Sequence, residues 1–164
     1  MIRIGQGYDM HVFDAERPLV LGGVVVPSAR GGLAGHSDAD VLTHAITSAL
    51  LGSLGLGDLG KHFPDNDPRW KGADSMQLLG HVVSLVEERG FHVVNCDSTV
   101  VAQEPRLAEY VDAMVQSLAS GLKVSGDCVS VKATTAERMG ALGRSEGIAA
   151  QAVVLVSSDA TKPA

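Results

Sequence analysis

Apolar residues recur at helical spacing in one stretch, Val41, Leu42, Ala45, Ile46, Ala49 and Leu50, and elsewhere they alternate or gather in short β-branched runs. A chain that switches between these two periods must lay helices against a sheet, because each element hides one face only. Residues 2–13 read as the opening strand. A hairpin follows, with 19–21 and 24–26 flanking the tight turn Gly22-Gly23, and the stretch Arg30-Gly31-Gly32 reads as a loop. The periodic stretch predicts a helix over 38–54 with Ser37 as its N-cap, and a second helix is predicted over 75–89, closed by Gly90. A strand over 91–102, a third helix from Pro105 to about residue 118, and strands over 128–134 and 148–158 joined by a Gly-rich turn complete the order.

That order indicates an α/β (α+β) sandwich, a mixed β-sheet with helices on one face, in a single domain over 1–158 with a flexible tail at 159–164. With 45% hydrophobic but only 4% aromatic residues, its core must be built from Val, Leu, Ala and Ile. Residues 55–74, rich in Gly, Asp and Pro, form a long irregular segment of the kind that carries function.

The 13 basic and 19 acidic residues leave a net charge of -6 with no basic run, which argues against nucleic acid as a partner. An acidic protein that handles anions must concentrate positive potential locally, through metal ions, helix N-termini or a few placed cations. Cys96 and Cys128 lack the spacing of a thiolate metal site or a disulfide framework, and the start of the sequence shows no leader pattern. A cytoplasmic protein without membrane insertion is expected.

Asp9 and His11, two apart on the first strand, point to the same face and can share one ligand. With His44 from the first helix they form a carboxylate and two imidazoles, a set suited to zinc that leaves a fourth position open, as catalytic sites do. Asp40, one turn before His44, is expected to orient its imidazole, and His36 sits near the helix entrance. Taken singly, a D-x-H pair also arises by chance and His44 suits a part-buried structural histidine. The crowding of His36, Ser37, Asp38 and Asp40 at one helix start favours the metal.

The segment from Gly57 through Asp58, Leu59, Gly60 and Lys61 to Pro68 is too polar for a core and is expected to border a cleft, although a solvated loop has the same composition. Lys132-Ala133-Thr134-Thr135-Ala136-Glu137 runs from a strand into a turn, where hydroxyls and backbone N–H groups meet phosphate oxygens. Glu137 beside phosphates implies a bridging Mg²⁺ or Mn²⁺ that arrives with substrate. Arg144 offers a fork for phosphate oxygens, or a surface ion pair.

Taken together, the ordered motifs Gly7-Tyr8-Asp9-Met10-His11, His36-Ser37-Asp38-Ala39-Asp40, Gly57-Asp58-Leu59-Gly60, Phe63-Pro64-Asp65, Gly72-Ala73-Asp74-Ser75 and Lys132-Ala133-Thr134-Thr135 resemble the 2-C-methyl-D-erythritol 2,4-cyclodiphosphate synthase family of non-mevalonate isoprenoid synthesis, over nearly the whole chain. The resemblance implies a ferredoxin-like homotrimer with active sites between neighbouring subunits. It implies one zinc per subunit on Asp9, His11 and His44, and substrate contacts from Asp9, His11, His36, Ser37, Asp58, Leu59, Gly60, Phe63, Pro64, Asp65, Asn66 and Asp67. Ala102, Gln103, Glu104, Pro105, Arg106, Leu107 and Ala108 correspond to the cytosine-nucleotide segment. Thr134, Thr135, Ala136, Glu137 and Arg144 match the diphosphate and second-metal region, with His36 and Thr135 supporting the transition state.

The implied reaction converts 4-diphosphocytidyl-2-C-methyl-D-erythritol 2-phosphate to the cyclic diphosphate with release of CMP, by attack of the substrate's own 2-phosphate on its β-phosphorus. A zinc-dependent phosphoester hydrolase and a non-catalytic cytidine nucleotide sensor are the alternatives. The sequence departs from its relatives at Ala141, where many carry a bulky aromatic lining an apolar cavity near the threefold axis. It departs again at Ser145, in place of a frequent glycine, and at Gln6, where some have His.

Overall fold

The structure, a computed structural model, describes residues 1–64 and 66–158. The strands and helices are β1 (Ile2–Asp14), β2 (Leu19–Leu21), β3 (Val24–Val26), β4 (Gly32–Leu33), α1 (Val41–Ser53), α2 (Leu59–His62), α3 (Ser75–Glu88), β5 (His92–Val101), α4 (Val111–Leu122), β6 (Val129–Thr134), α5 (Gly140–Gly143) and β7 (Gly147–Ser157). Five strands form a mixed sheet in the order β4-β1-β7-β5-β6, antiparallel except for the parallel pair β5 and β6, while β2 and β3 form a separate hairpin. The fold is mixed α+β.

One sheet face is buried. Its residues include Val93, Cys96, Val100, Val129, Val131, Ile148, Ala150, Ala152, Val154 and Val156, packed with Leu42, Ile46, Leu50, Leu79, Val82, Met114, Leu118 and Leu122 from α1, α3 and α4. The helix-facing positions of β1 begin with Gly5 and Gly7, where a Cβ would stand 1.8 Å from the Ala49 carbonyl oxygen and 1.9 Å from that of Ala45. Only glycine lets α1 lie that close. The same face of β1 continues to Asp9 and His11, and α1 runs back toward its start at His44, so the tight glycine contact brings the three residues together. The opposite sheet face leaves Ile2, Ile4, Tyr8, Met10, Val12 and Val153 exposed.

Several expectations are corrected. The first helix starts at Val41, capped by Asp40 and not by Ser37: the Asp40 carboxylate accepts Thr43 N–H at 3.0 Å. Asp40 also accepts Gly22 N–H at 2.9 Å, Gly23 N–H at 2.7 Å and the Thr43 hydroxyl at 2.7 Å. Burial pushes this carboxyl up and the four bonds pull it back, and none of them leads to His44, so Asp40 ties the hairpin turn to α1 and does not orient the ligand. The third helix does not begin at Pro105. Residues 102–107 stay non-helical, tied to β6 by Ala102 N–H to the Thr134 carbonyl at 3.0 Å, with Leu107 buried in the core, and α4 starts only at Val111. The loop at 30–32 ends in an unpredicted short strand, β4, against Phe13 and Asp14. The strands expected over 128–134 and 148–158 form as β6 and β7, with the short helix α5 in the Gly-rich turn between them, and β7 inserts between β1 and β5. The 55–74 segment holds α2 and a 3-10 turn at Pro68–Trp70. The tail at 159–164 lies outside the described residues.

Candidate active site

Asp9 and His11 leave β1 toward α1, and His44 meets them from the first turn of that helix. The Asp9 Oδ2 to His11 Nε2, Asp9 Oδ2 to His44 Nδ1 and His11 Nε2 to His44 Nδ1 separations are 2.9, 3.0 and 3.4 Å. A tetrahedral ion with bonds of about 2.0–2.2 Å spaces its ligand atoms about 3.3 Å apart, so a divalent metal fits among them with minor spreading. Among the described residues these three are the group of His, Cys, Asp or Glu side chains that converges in this way. Burial opposes ionisation of Asp9, but hydrogen bonds from His11 and His44 outweigh it and hold the carboxyl well below the usual range. The bond to Asp9 raises His11 against the effect of burial. Part-buried and held ionised by its two imidazole partners, the carboxylate can serve a metal at physiological pH.

Beside the three residues opens a cleft of about 420 Å³ lined by Tyr8, Asp9, His11, Gly35, His36, Ser37, His44, Ser48, Asp58, Leu59, Gly60, Phe63, Trp70 and Leu78. Among the described residues β1 has no strand partner on its outer side before Phe13, which leaves the flank of Asp9 and His11 open. Arg17 braces the roof: its guanidinium donates to the Gly35 carbonyl at 2.6 Å and to the Ser37 carbonyl, on either side of His36. His36 Nε2 and Trp70 Nε1 are buried with no hydrogen-bond partner among the described residues. Trp70 meets Phe63 edge-on at 4.9 Å, and Asp58 caps α2 through Lys61 N–H at 2.9 Å.

A family model described as the YgbB family matches residues 2–157. The chain belongs to the YgbB family. Among its YgbB relatives, a protein named 2-C-methyl-D-erythritol 2,4-cyclodiphosphate synthase from Laribacter hongkongensis is 60% identical over 157 residues, covering 96% of each chain. A protein of the same name from Methylobacillus flagellatus is 54% identical, covering 95% of this chain and 97% of its own. A solved structure, IspF from Plasmodium falciparum in complex with CDP, superposes with a TM-score of 0.81 at 33% identity, covering 94% of this chain and 95% of that one.

Of the residues expected to serve this YgbB site, the cleft gathers Asp9, His11, His36, Ser37, His44, Asp58, Leu59, Gly60 and Phe63. Pro64, Asn66 and Asp67 do not line it, and Asp67 is held by Arg69 at 2.5 Å; Asp65 lies outside the described residues. Residues 102–108 and 134–137 and Arg144 also stand apart from the cleft. They form a second cluster: Arg138 N–H donates to Gln103 Oε1 at 3.1 Å, the Thr135 hydroxyl donates to Glu137 Oε1 at 2.9 Å, and Glu104 pairs with Arg30. Ala102 and Leu107 are buried, so they can present only backbone, and Arg144 pairs with Glu146 at 2.6 Å, its surface ion-pair alternative. Register sets the gap: Asp9 opposes Ala150, which opposes Val100, which opposes Ala133, three strand spacings or about 14 Å.

Tyr8, Gly35, Ser48, Trp70 and Leu78 line the cleft without having been expected there. Ser48 had a usable signal, four residues after His44 on the same helical face. So did Trp70, the chain's single tryptophan, placed in a Gly- and Pro-rich segment expected to border a cleft.

Proposed function

We propose that the protein converts 4-diphosphocytidyl-2-C-methyl-D-erythritol 2-phosphate to 2-C-methyl-D-erythritol 2,4-cyclodiphosphate and CMP. The observation that carries this reading is the convergence of Asp9, His11 and His44 at 2.9–3.4 Å beside a cleft walled by His36, Ser37 and Asp58. A 2-phosphate oxygen bonds to the β-phosphorus, the bond from that phosphorus to the bridging oxygen breaks, and its electron pair leaves with CMP. Water takes no part. The attacking phosphate monoester is largely dianionic at neutral pH, so no side chain needs to act as a strong base.

Catalysis then reduces to holding a flexible anion in a ring and offsetting its charge. Asp9, His11 and His44 would hold zinc, and Glu137, with the substrate phosphates, Mg²⁺ or Mn²⁺; when bound, these cations supply Lewis-acid neutralisation of the diphosphate. His36 and Thr135 hydrogen-bond the attacking and leaving groups, and the unpartnered Nε2 of His36 supports that role. Asp58, Leu59, Gly60 and the 63–67 segment hold the erythritol phosphate, residues 102–108 the cytosine nucleotide, and Thr134, Thr135, Ala136 and Arg144 the diphosphate.

A homotrimer with shared sites accommodates the 14 Å gap, because the second cluster of one chain can meet the cleft of its neighbour across the exposed apolar sheet face. The mixed sheet with its helical layer supports the ferredoxin-like reading. Among the described residues no helix is long and apolar enough to cross a membrane, and two free cysteines suit a cytoplasmic enzyme. Phosphorus NMR of the purified protein with the diphosphocytidyl phosphate and Mg²⁺ tests the reading. CMP and a cyclic diphosphate free of oxygen from labelled water are expected. A linear phosphate carrying that label would mean a hydrolase, and tight CDP binding without turnover would mean a sensor.

A further inference from the structure

We propose that Ser75 and Asp38 position the metal centre, as a hydroxyl relay that fixes which nitrogen of His44 faces the ion. The inference rests on the reading of Asp9, His11 and His44 as metal ligands.

Proton accounting carries it. His44 Nδ1 points at Asp9 Oδ2 and His11 Nε2, at 3.0 and 3.4 Å, so this nitrogen must offer a lone pair to an ion between them. A neutral imidazole then keeps its one proton on Nε2. Two oxygens lie within reach of that proton, Ser75 Oγ at 2.9 Å and Ser37 Oγ at 3.0 Å.

The two hydroxyls are not equivalent. Ser75 is fully buried at the start of α3, and the Asp38 carboxylate grips it twice, accepting its hydroxyl on Oδ1 and its backbone N–H on Oδ2 at 3.0 Å. The Ser75 proton is committed to Asp38, which turns its lone pairs to His44. Ser37 Oγ instead accepts Ala39 N–H at 3.1 Å, and the acceptor its own proton finds among the described residues is Ser75 Oγ at a long 3.4 Å. Ser37 also lines the cleft, so its proton is available to a ligand oxygen. One serine serves the metal and the other faces the substrate.

The scaffold holds this arrangement rigid. Asp38 N–H donates to the Ala73 carbonyl at 3.0 Å and Gly72 N–H to the His36 carbonyl at 2.8 Å, tying the segment before α1 to the segment before α3. Outer partners that orient a ligand imidazole and raise its basicity are worth about 10–100-fold in metal affinity.

The test is the zinc dissociation constant of the full chain, measured by competition with a chromophoric chelator, alongside the melting temperature of each metal-free protein. Ser75→Ala is expected to weaken zinc by about 10–100-fold and Asp38→Asn to weaken it in the same direction, while Ser37→Ala stays within about twofold of wild type. Zinc held equally well by Ser75→Ala, or weakened by Ser37→Ala in its place, overturns the relay and leaves the metal site standing. A wild-type protein that takes up no divalent metal overturns both. Should metal-free Ser75→Ala melt well below metal-free wild type, Asp38→Asn, which keeps the side-chain shape, decides by the same measurement.

Discussion

Two positions outside the cleft show how local physics sets a residue's behaviour. Cys96 is 1% exposed on the core face of β5, and burial, with Asp97 nearby, pushes its thiol up to about 12. Since the thiolate is the reactive form, native protein at pH 8 is expected to expose one thiol to Ellman's reagent, that of the part-buried Cys128. The second is expected to appear only in denaturant. Ser145 takes a left-handed φ of 57°, a conformation that costs a non-glycine residue about 1–2 kcal/mol. Ser145→Gly is therefore expected to raise the melting temperature by roughly 2–4 °C per kcal/mol regained, read by calorimetry.

At the level of elements, the cleft is made where the middle of β1, the start of α1 with the residues before it, and α2 with the segment leading into α3 meet. Arg17, from the turn after β1, bonds the carbonyls of Gly35 and Ser37 and makes no hydrogen bond or ion pair with Asp9, His11 or His44 among the described residues. Arg17→Ala is expected to lower kcat by about tenfold to a hundredfold through misplacement of His36 and Ser37, and, under the proposed zinc site, to leave the zinc bound per chain unchanged. Steady-state kinetics paired with metal analysis would check it, and a parallel loss of zinc would contradict it. The α1 period was readable because Val41, Leu42, Ala45, Ile46, Ala49 and Leu50 all face the core. Its start was not, because Ser37, Asp38 and Asp40 are all able caps and only packing against Gly22 and Gly23 selects Asp40.

At the scale of the whole molecule, the sheet is covered on one face and bare on the other, with Ile4 68%, Val12 61% and Tyr8 57% exposed along β1. Apolar faces of this kind mark interaction sites. Under the proposed trimer and zinc site, Ile4→Lys is expected to sediment as a single chain and to lose turnover while still binding zinc, because Asp9, His11 and His44 all come from one chain whereas the cleft takes its nucleotide segment from a neighbour. A variant that stays trimeric and active would count against assembly through this face. From sequence alone came the layered class and the strand face shared by Asp9 and His11, since alternation and helical period decide which side chains share a face, while His44 was named as their partner from its side-chain chemistry and the resemblance of the ordered motifs. Only the tertiary structure separated Asp40 from Asp38, joined Ser75 to His44 across 31 positions, and set the second cluster three strands from the first. Those outcomes depend on how close two glycines let a helix approach a strand and on the order of strands in the sheet, and no local period encodes either.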